Sequence, residues 1–107
     1  MSGFSQREDG FEKKFAFDAE KRFRAQARRN KLLAAWVGDR TSMTAAAVAQ
    51  YAEELSAHDL KKPGDDDVAE KLLADLTARG VPATKDEVRE QMTRCLARAN
   101  ELTASEG

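Results

Sequence analysis

Three breaker sites, Gly38, the Pro63-Gly64 pair and Gly80, divide the chain after residue 18 into four segments, each carrying apolar residues every three or four positions. That spacing puts the apolar side chains on one face of a helix and leaves no stretch with the strict alternation of a strand. Alanine, leucine, lysine, arginine and glutamate dominate, and β-branched and aromatic runs are absent. The chain reads as an all-α fold, a small four-helix bundle, with helices over about Asp18–Val37, Met43–Leu60, Asp66–Arg79 and Thr84–Leu102. Asp18 is the expected cap of the first helix and Gly38 its stop; Thr41 or Ser42 caps the second and Asp65 the third. Gly80 closes the third helix, and Thr84 with Glu87 forms a capping box for the fourth. Short loops between the segments imply antiparallel neighbours.

The stripes name a core. The second helix offers Val48, Tyr51, Ala52 and Leu55. The third offers Val68, Leu72, Leu73 and Leu76, and the fourth offers Val88, Met92, Cys95, Leu96, Ala99 and Leu102. On the first helix, Phe23, Ala27, Asn30, Leu33, Ala34 and Val37 fall on an arc of about 120° at about 100° per residue. Lys21, Arg24, Arg28 and Lys31 lie opposite, with Arg22 and Arg29 on the flank. Leu32 and Trp36 fall on the basic side, which two helices packing against the last turn would explain; an exposed partner-binding pair is the alternative. Asp67–Lys71, Asp75–Arg79 and Glu90–Arg94 are spaced four apart and each supports its helix by only about 0.2–0.5 kcal/mol.

Function points to the N-terminus. All five phenylalanines, Phe4, Phe11, Phe15, Phe17 and Phe23, and half of the eighteen basic residues lie in the first 31 positions. Residues 1–17 are neutral, residues 18–31 carry +4, and the rest carries −5. An acidic body with a basic segment favours one acidic partner over general nucleic-acid binding. Extended backwards, the first helix would align Phe4, Phe11 and Phe15 as one apolar stripe. Gly3, Gly10 and the turn-formers Ser2, Ser5 and Asp9 weaken it alone in water. Residues 1–17 therefore read as a flexible, mobile arm that folds as an amphipathic helix in a partner's groove, preceding a bundle at 18–107. Phe23 is assigned to the core, and Phe4 and Phe11 are not.

Catalytic chemistry is missing. His58 is the sole histidine and sits near a helix end. Cys95 is the sole cysteine and lies on a core stripe, which fits a reducing compartment and a small buried hydrophobe. The two cannot build a zinc site. Asp65-Asp66-Asp67 lacks the spaced ligands of a calcium loop and reads as capping and dipole compensation. No cofactor, metal or enzymatic activity is expected, nor direct membrane insertion, and the expected address is cytoplasmic.

The run FEKKFAFDAEKRFRAQARRNKLLAAWVG, followed by AAAVAQYAEEL, the turn KKPGDDDV and TKDEVREQMTRCLARA, resembles the zeta subunit of the alphaproteobacterial F-type ATP synthase. The resemblance spans nearly the whole chain and is most specific from Phe11 through Trp36. It implies a four-helix bundle whose N-terminal arm wedges between catalytic and non-catalytic subunits of the soluble ATPase head and blocks hydrolytic rotation. The implied partners are the alpha, beta and gamma subunits, which hold the protein peripheral to the inner membrane. The implied contacts are Phe4, Phe11 and Phe15, with Arg7, Lys13 and Lys14, supplemented by the basic face of Lys21, Arg22, Arg24, Arg28 and Arg29. A different reading, a small helical adaptor or weak nucleotide-binding bundle using Arg22, Arg28 and Arg29, stays open at this point.

Overall fold

The computed structural model describes residues 19–62 and 64–106 with their side chains; over residues 2–18 it gives helical backbone alone. The chain is all-α: α1 (Ser2–Thr41), α2 (Ala45–Lys61), α3 (Asp65–Ala78) and α4 (Lys85–Ser105). The expected arm at residues 1–17, with the placement of Phe4, Arg7, Phe11, Lys13, Lys14 and Phe15, lies outside the described side chains. From Ala19 onward the four expected helices are present. α1 packs mainly on α4 and α2, and α3 closes the bundle chiefly against α4.

The helix ends follow local chemistry, though not always at the expected residue. Gly38 does not stop α1. Its carbonyl accepts the closing bond from the Met43 amide at 3.0 Å, and Ser42 takes the left-handed conformation that ends the helix, with φ 58°. α2 is capped by Thr44, whose hydroxyl accepts from the Ala47 amide at 3.1 Å, rather than by Thr41 or Ser42. Gly64 precedes α3, and Asp65 becomes its first residue, so its carboxylate is available for a tertiary contact. The end of α3 behaves as expected: Gly80 has φ 80°, and the Val81 amide reaches the Leu76 carbonyl at 2.9 Å. Thr84 caps α4 by accepting from the Glu87 amide at 3.1 Å.

The core runs through Leu33, Val37, Leu55, Val68, Leu72, Leu76 and Val88, all fully buried. Each such side chain contributes about 1.5–3 kcal/mol by leaving water. Tyr51, Ala52, Met92, Cys95 and Ala99 are buried as their stripes imply, whereas Val48, Leu73 and Leu96 are half-buried at the margin. In the last turn of α4 it is Thr103, not Leu102, that is fully inside. Leu32 and Trp36 are half-buried because α4 covers them, with Gln91, Cys95, Arg94 and Arg98 alongside. Arg40 stands 5.3 Å from the Trp36 ring centre, a cation–π contact.

Phe23 departs from expectation: it is 66% exposed. The register explains this. The Gln26 amide lies 3.5 Å from Asp59 Oδ2, and Asn30 Nδ2 lies 3.5 Å from Ser56 Oγ, so α1 and α2 run antiparallel. Phe23 is therefore level with the end of α2, beyond its cover. On the other side α4 reaches further along α1, and Ala25 is buried there.

A polar cluster around Tyr51 ties α2 to α3. The Tyr51 hydroxyl donates to Asp75 Oδ2 at 2.6 Å, Lys71 Nζ donates to the same oxygen at 3.0 Å, and the Lys71 ammonium stands 5.5 Å from the Tyr51 ring centre. Burial, and then the neighbouring Asp75 carboxylate, push the Tyr51 phenol well above its ordinary value of 10.0. A phenol that ionises later when folded than when unfolded contributes stability that is complete below about pH 10 and declines as the pH rises further. Tyr51 is the only tyrosine, so absorbance at 295 nm reads it alone. The native protein should show no tyrosinate signal near pH 10, and the urea-unfolded chain should show half. A native midpoint near 10 would refute the buried hydrogen-bonded phenol. Tyr51→Phe should cost about 1 kcal/mol.

Gly38 carries a second prediction. A Cβ built there collides with Val48 Cγ2 of α2. Gly→Ala within a helix ordinarily gains about 1 kcal/mol. Here the collision should reverse the sign, and Gly38→Ala should lose about 1–3 kcal/mol in urea denaturation. A gain in stability would show that the two helices are not held this closely.

Candidate functional site

The candidate interface among the described residues is the basic run of α1, Lys21 to Lys31. The helix spreads these residues around its circumference, and packing then sorts them into different roles. Arg22 is exposed and Lys21 is half-buried; both border a shallow depression with Asn100, Thr103 and Ala104 of α4. Arg24 is exposed, 2.9 Å from Glu20 and 4.0 Å from Glu106. Arg28 donates to Thr103 Oγ1 at 3.2 Å and pairs with Glu106, so it clamps α1 to the end of α4. Thr103 is buried for this reason, as the partner of an arginine rather than as part of an apolar stripe.

Arg29 is the main correction. Expected on the flank of the basic face, it is only 1% exposed. It lies on the α1 ridge Ala25–Arg29–Leu33–Val37, whose members recur every four residues and all point inward. Its Nη1 donates to Asp65 Oδ1 at 2.8 Å, and its Nη2 is 3.6 Å from Asp59 Oδ2. Its Nε and Nη2 both donate to Asn30 Oδ1, at 3.3 and 3.1 Å. Asn30 in turn reaches Ser56. One guanidinium thus joins α1 to the end of α2 and the start of α3. The described side chains contain no buried nitrogen or oxygen without a partner, so the burial cost of this charge is met by a complete network.

The cleft beside it holds Arg29, Asp65, Asp66, Arg89 and Met92, and encloses about 190 Å³. Arg89 pairs with Asp66 across it. Its two cations face two anions, which leaves no net positive charge to hold a phosphate. The alternative reading built on Arg22, Arg28 and Arg29 therefore has two of its three arginines engaged within the bundle. Asp65, Asp66 and Asp67 occupy the first turn of α3, where they complement its positive end. Among the described residues no group of three potential metal ligands converges, and no helix is long and apolar enough to cross a membrane. His58 Nε2 lies 3.3 Å from the Asp67 carbonyl, linking α2 to α3. Burial pushes the Cys95 thiol up, partly opposed by Arg29, which leaves it a poor nucleophile.

What the sequence did not reveal is an outward groove between α1 and α2. Ala27, Ala45, Ala49, Ala52, Ala57 and Leu60 line it, and it measures about 610 Å³. Lys31 and Glu53 also border it, one from each helix. Val48 and Ala52 border it from the core stripe of α2, while Ala45, Ala49 and Ala57 lie outside that stripe and carry no sequence signal of a groove.

Compared with known families, the chain matches the family described as ATPase inhibitor subunit zeta over residues 1–101. No curated protein matches it.

The Arg29 network yields a stability prediction. Arg29→Met removes the charge and strands Asn30 and Asp59, while Asp65, whose side chain is 71% exposed, returns to water. The expected loss is about 2–4 kcal/mol in urea denaturation, against less than about 0.5 kcal/mol for the solvated Arg24→Ala. Equal effects at the two positions would show that Arg29 is not the internal tie.

Proposed function

The chain belongs to the ATPase inhibitor subunit zeta family, and from that membership we propose that it inhibits the F-type ATP synthase through its first seventeen residues. In this reading the arm folds as a helix into the catalytic subunit interface of the soluble head, formed by the alpha and beta subunits around gamma, and blocks ATP hydrolysis. The observation that carries the reading is that the family match includes the whole arm as well as all of α1, α2 and α3 and most of α4. Phe4, Phe11 and Phe15 supply the apolar anchors at helical spacing. Arg7, Lys13 and Lys14 supply the charge that meets acidic surface, extended onto the body by Lys21, Arg22 and Arg24. Arg28 and Arg29 serve the scaffold. The role is regulatory rather than catalytic, and the protein sits peripheral to the inner membrane through the synthase.

The described core draws on residues 25–103, which supports a scaffold that outlasts loss of the arm. A chain lacking residues 1–17 should keep its cooperative unfolding by circular dichroism yet fail to slow ATP hydrolysis by the isolated soluble head. Full-length protein with no effect on that hydrolysis would overturn the proposal.

A further inference from the structure

We propose that the α1/α2 groove is a second docking surface, which seats one surface helix of the ATPase head with an apolar face and an acidic flank. This rests on the inhibitor reading above. Phe23 and Leu60 are the two exposed large hydrophobics among the described residues, at 66% and 72%. Leu60 lines one end of the groove, and Phe23 stands one turn before the groove-lining Ala27 on the same ridge of α1. Exposed apolar side chains are ordinary when scattered and informative when gathered at one place.

The shape specifies a helix. Ala45, Ala49, Ala52 and Ala57 project little, so another backbone can approach to about 8–10 Å, the spacing of packed helices. From Ala45 to Leu60 the floor is about 22 Å long at 1.5 Å per residue, which accommodates about four turns.

The charge specifies the flank. Lys31 is exposed on the α1 rim and makes no ion pair among the described residues. Lys61 and Lys62 follow Leu60 at the open end and are likewise exposed. Glu53 is the one acidic residue lining the groove. An occupant with acidic residues along the α1 side and toward the Leu60 end complements this frame. The groove is also placed to act with the arm. Phe23 follows residue 17 by six positions, about 9 Å along a helix. A head that grips the arm is thereby held beside the groove, and the second contact forms at high effective concentration.

The test uses full-length protein and the isolated soluble ATPase head as the probe. Ala49→Glu fills the groove floor, and Lys31→Glu reverses the rim charge at an exposed site that cannot disturb the core. Ala97→Glu, on the exposed side of α4, is the matched control. Both groove variants should bind the head about tenfold or more weaker, while full inhibition returns at saturating concentration because the arm is intact. Ala97→Glu should match the wild type. Groove variants that bind as tightly as a wild type that does inhibit would overturn the groove proposal alone. A wild type that neither binds nor inhibits would overturn both. If sedimentation showed a wild-type dimer that Ala49→Glu dissociates with no change in affinity for the head, the groove would be a self-association face and the proposal would fail.

Discussion

The structure depends on the burial of one guanidinium. Arg29 enters the bundle with a positive charge whose desolvation costs several kcal/mol, and no apolar neighbour repays that. Its cost is met only when Asp65, Asp59 and Asn30 arrive together, and those residues belong to three different helices. The network therefore discriminates against misregistered packings more than it adds net stability. Sliding α2 by one turn would put Leu55 where Asp59 faces the charge, and any shift of α3 would remove Asp65. Apolar contacts alone tolerate such slips, because one leucine replaces another at similar cost.

Around that tie, α1 acts as the spine. One ridge, Ala25–Arg29–Leu33–Val37, faces the interior. A second, Asn30–Ala34–Gly38, meets α2, and its small residues let Val48 approach closely. A third, Arg28–Leu32–Trp36, lies under α4. A helix covered on three ridges retains one solvent face, and Ala27 and Lys31 border it. The outward groove is thus a by-product of how the bundle closes. α3 completes the core against α4, so no helix remains to cover the outer side of the α1/α2 pair.

Local signals were legible and nonlocal ones were not. The Thr84 cap, the Gly80 terminus and the centres of the stripes of α2, α3 and α4 are set within a few residues and are legible directly; the stripe ends, such as Leu102, are not. Gly38 reads as a terminator because glycine commonly ends helices, but its purpose is to admit a side chain ten residues away in sequence. Phe23 lies on the core arc, which places it inside; whether α2 extends far enough to cover it is fixed by the register of side chains more than thirty residues on. Arg29 reads as surface charge for the same reason: its acidic partners lie 30 and 36 positions downstream. The candidate interface was accordingly legible in composition and not in geometry. Composition sets how many basic residues the segment carries, and packing decides that Arg28 and Arg29 pair inside the bundle.

That division bears on how a partner would be recognised. Residues 18–31 carry +4 by sequence, a charge that would steer an acidic partner from a distance. In the folded protein Arg28 faces Glu106, Arg29 faces Asp65 and Asp59, and Arg24 shares Glu20 and Glu106. Paired charges of this kind project little field beyond a Debye length of about 8 Å. The outward positive character of the segment is therefore much smaller than its composition suggests, and long-range attraction is a weak basis for affinity. Apolar contact has to supply the remainder, and among the described residues the two large outward apolar groups, Phe23 and Leu60, stand at one end of the α1/α2 groove. Recognition on this account is short-ranged and shape-dependent, with charge used at the rims to choose which helix fits.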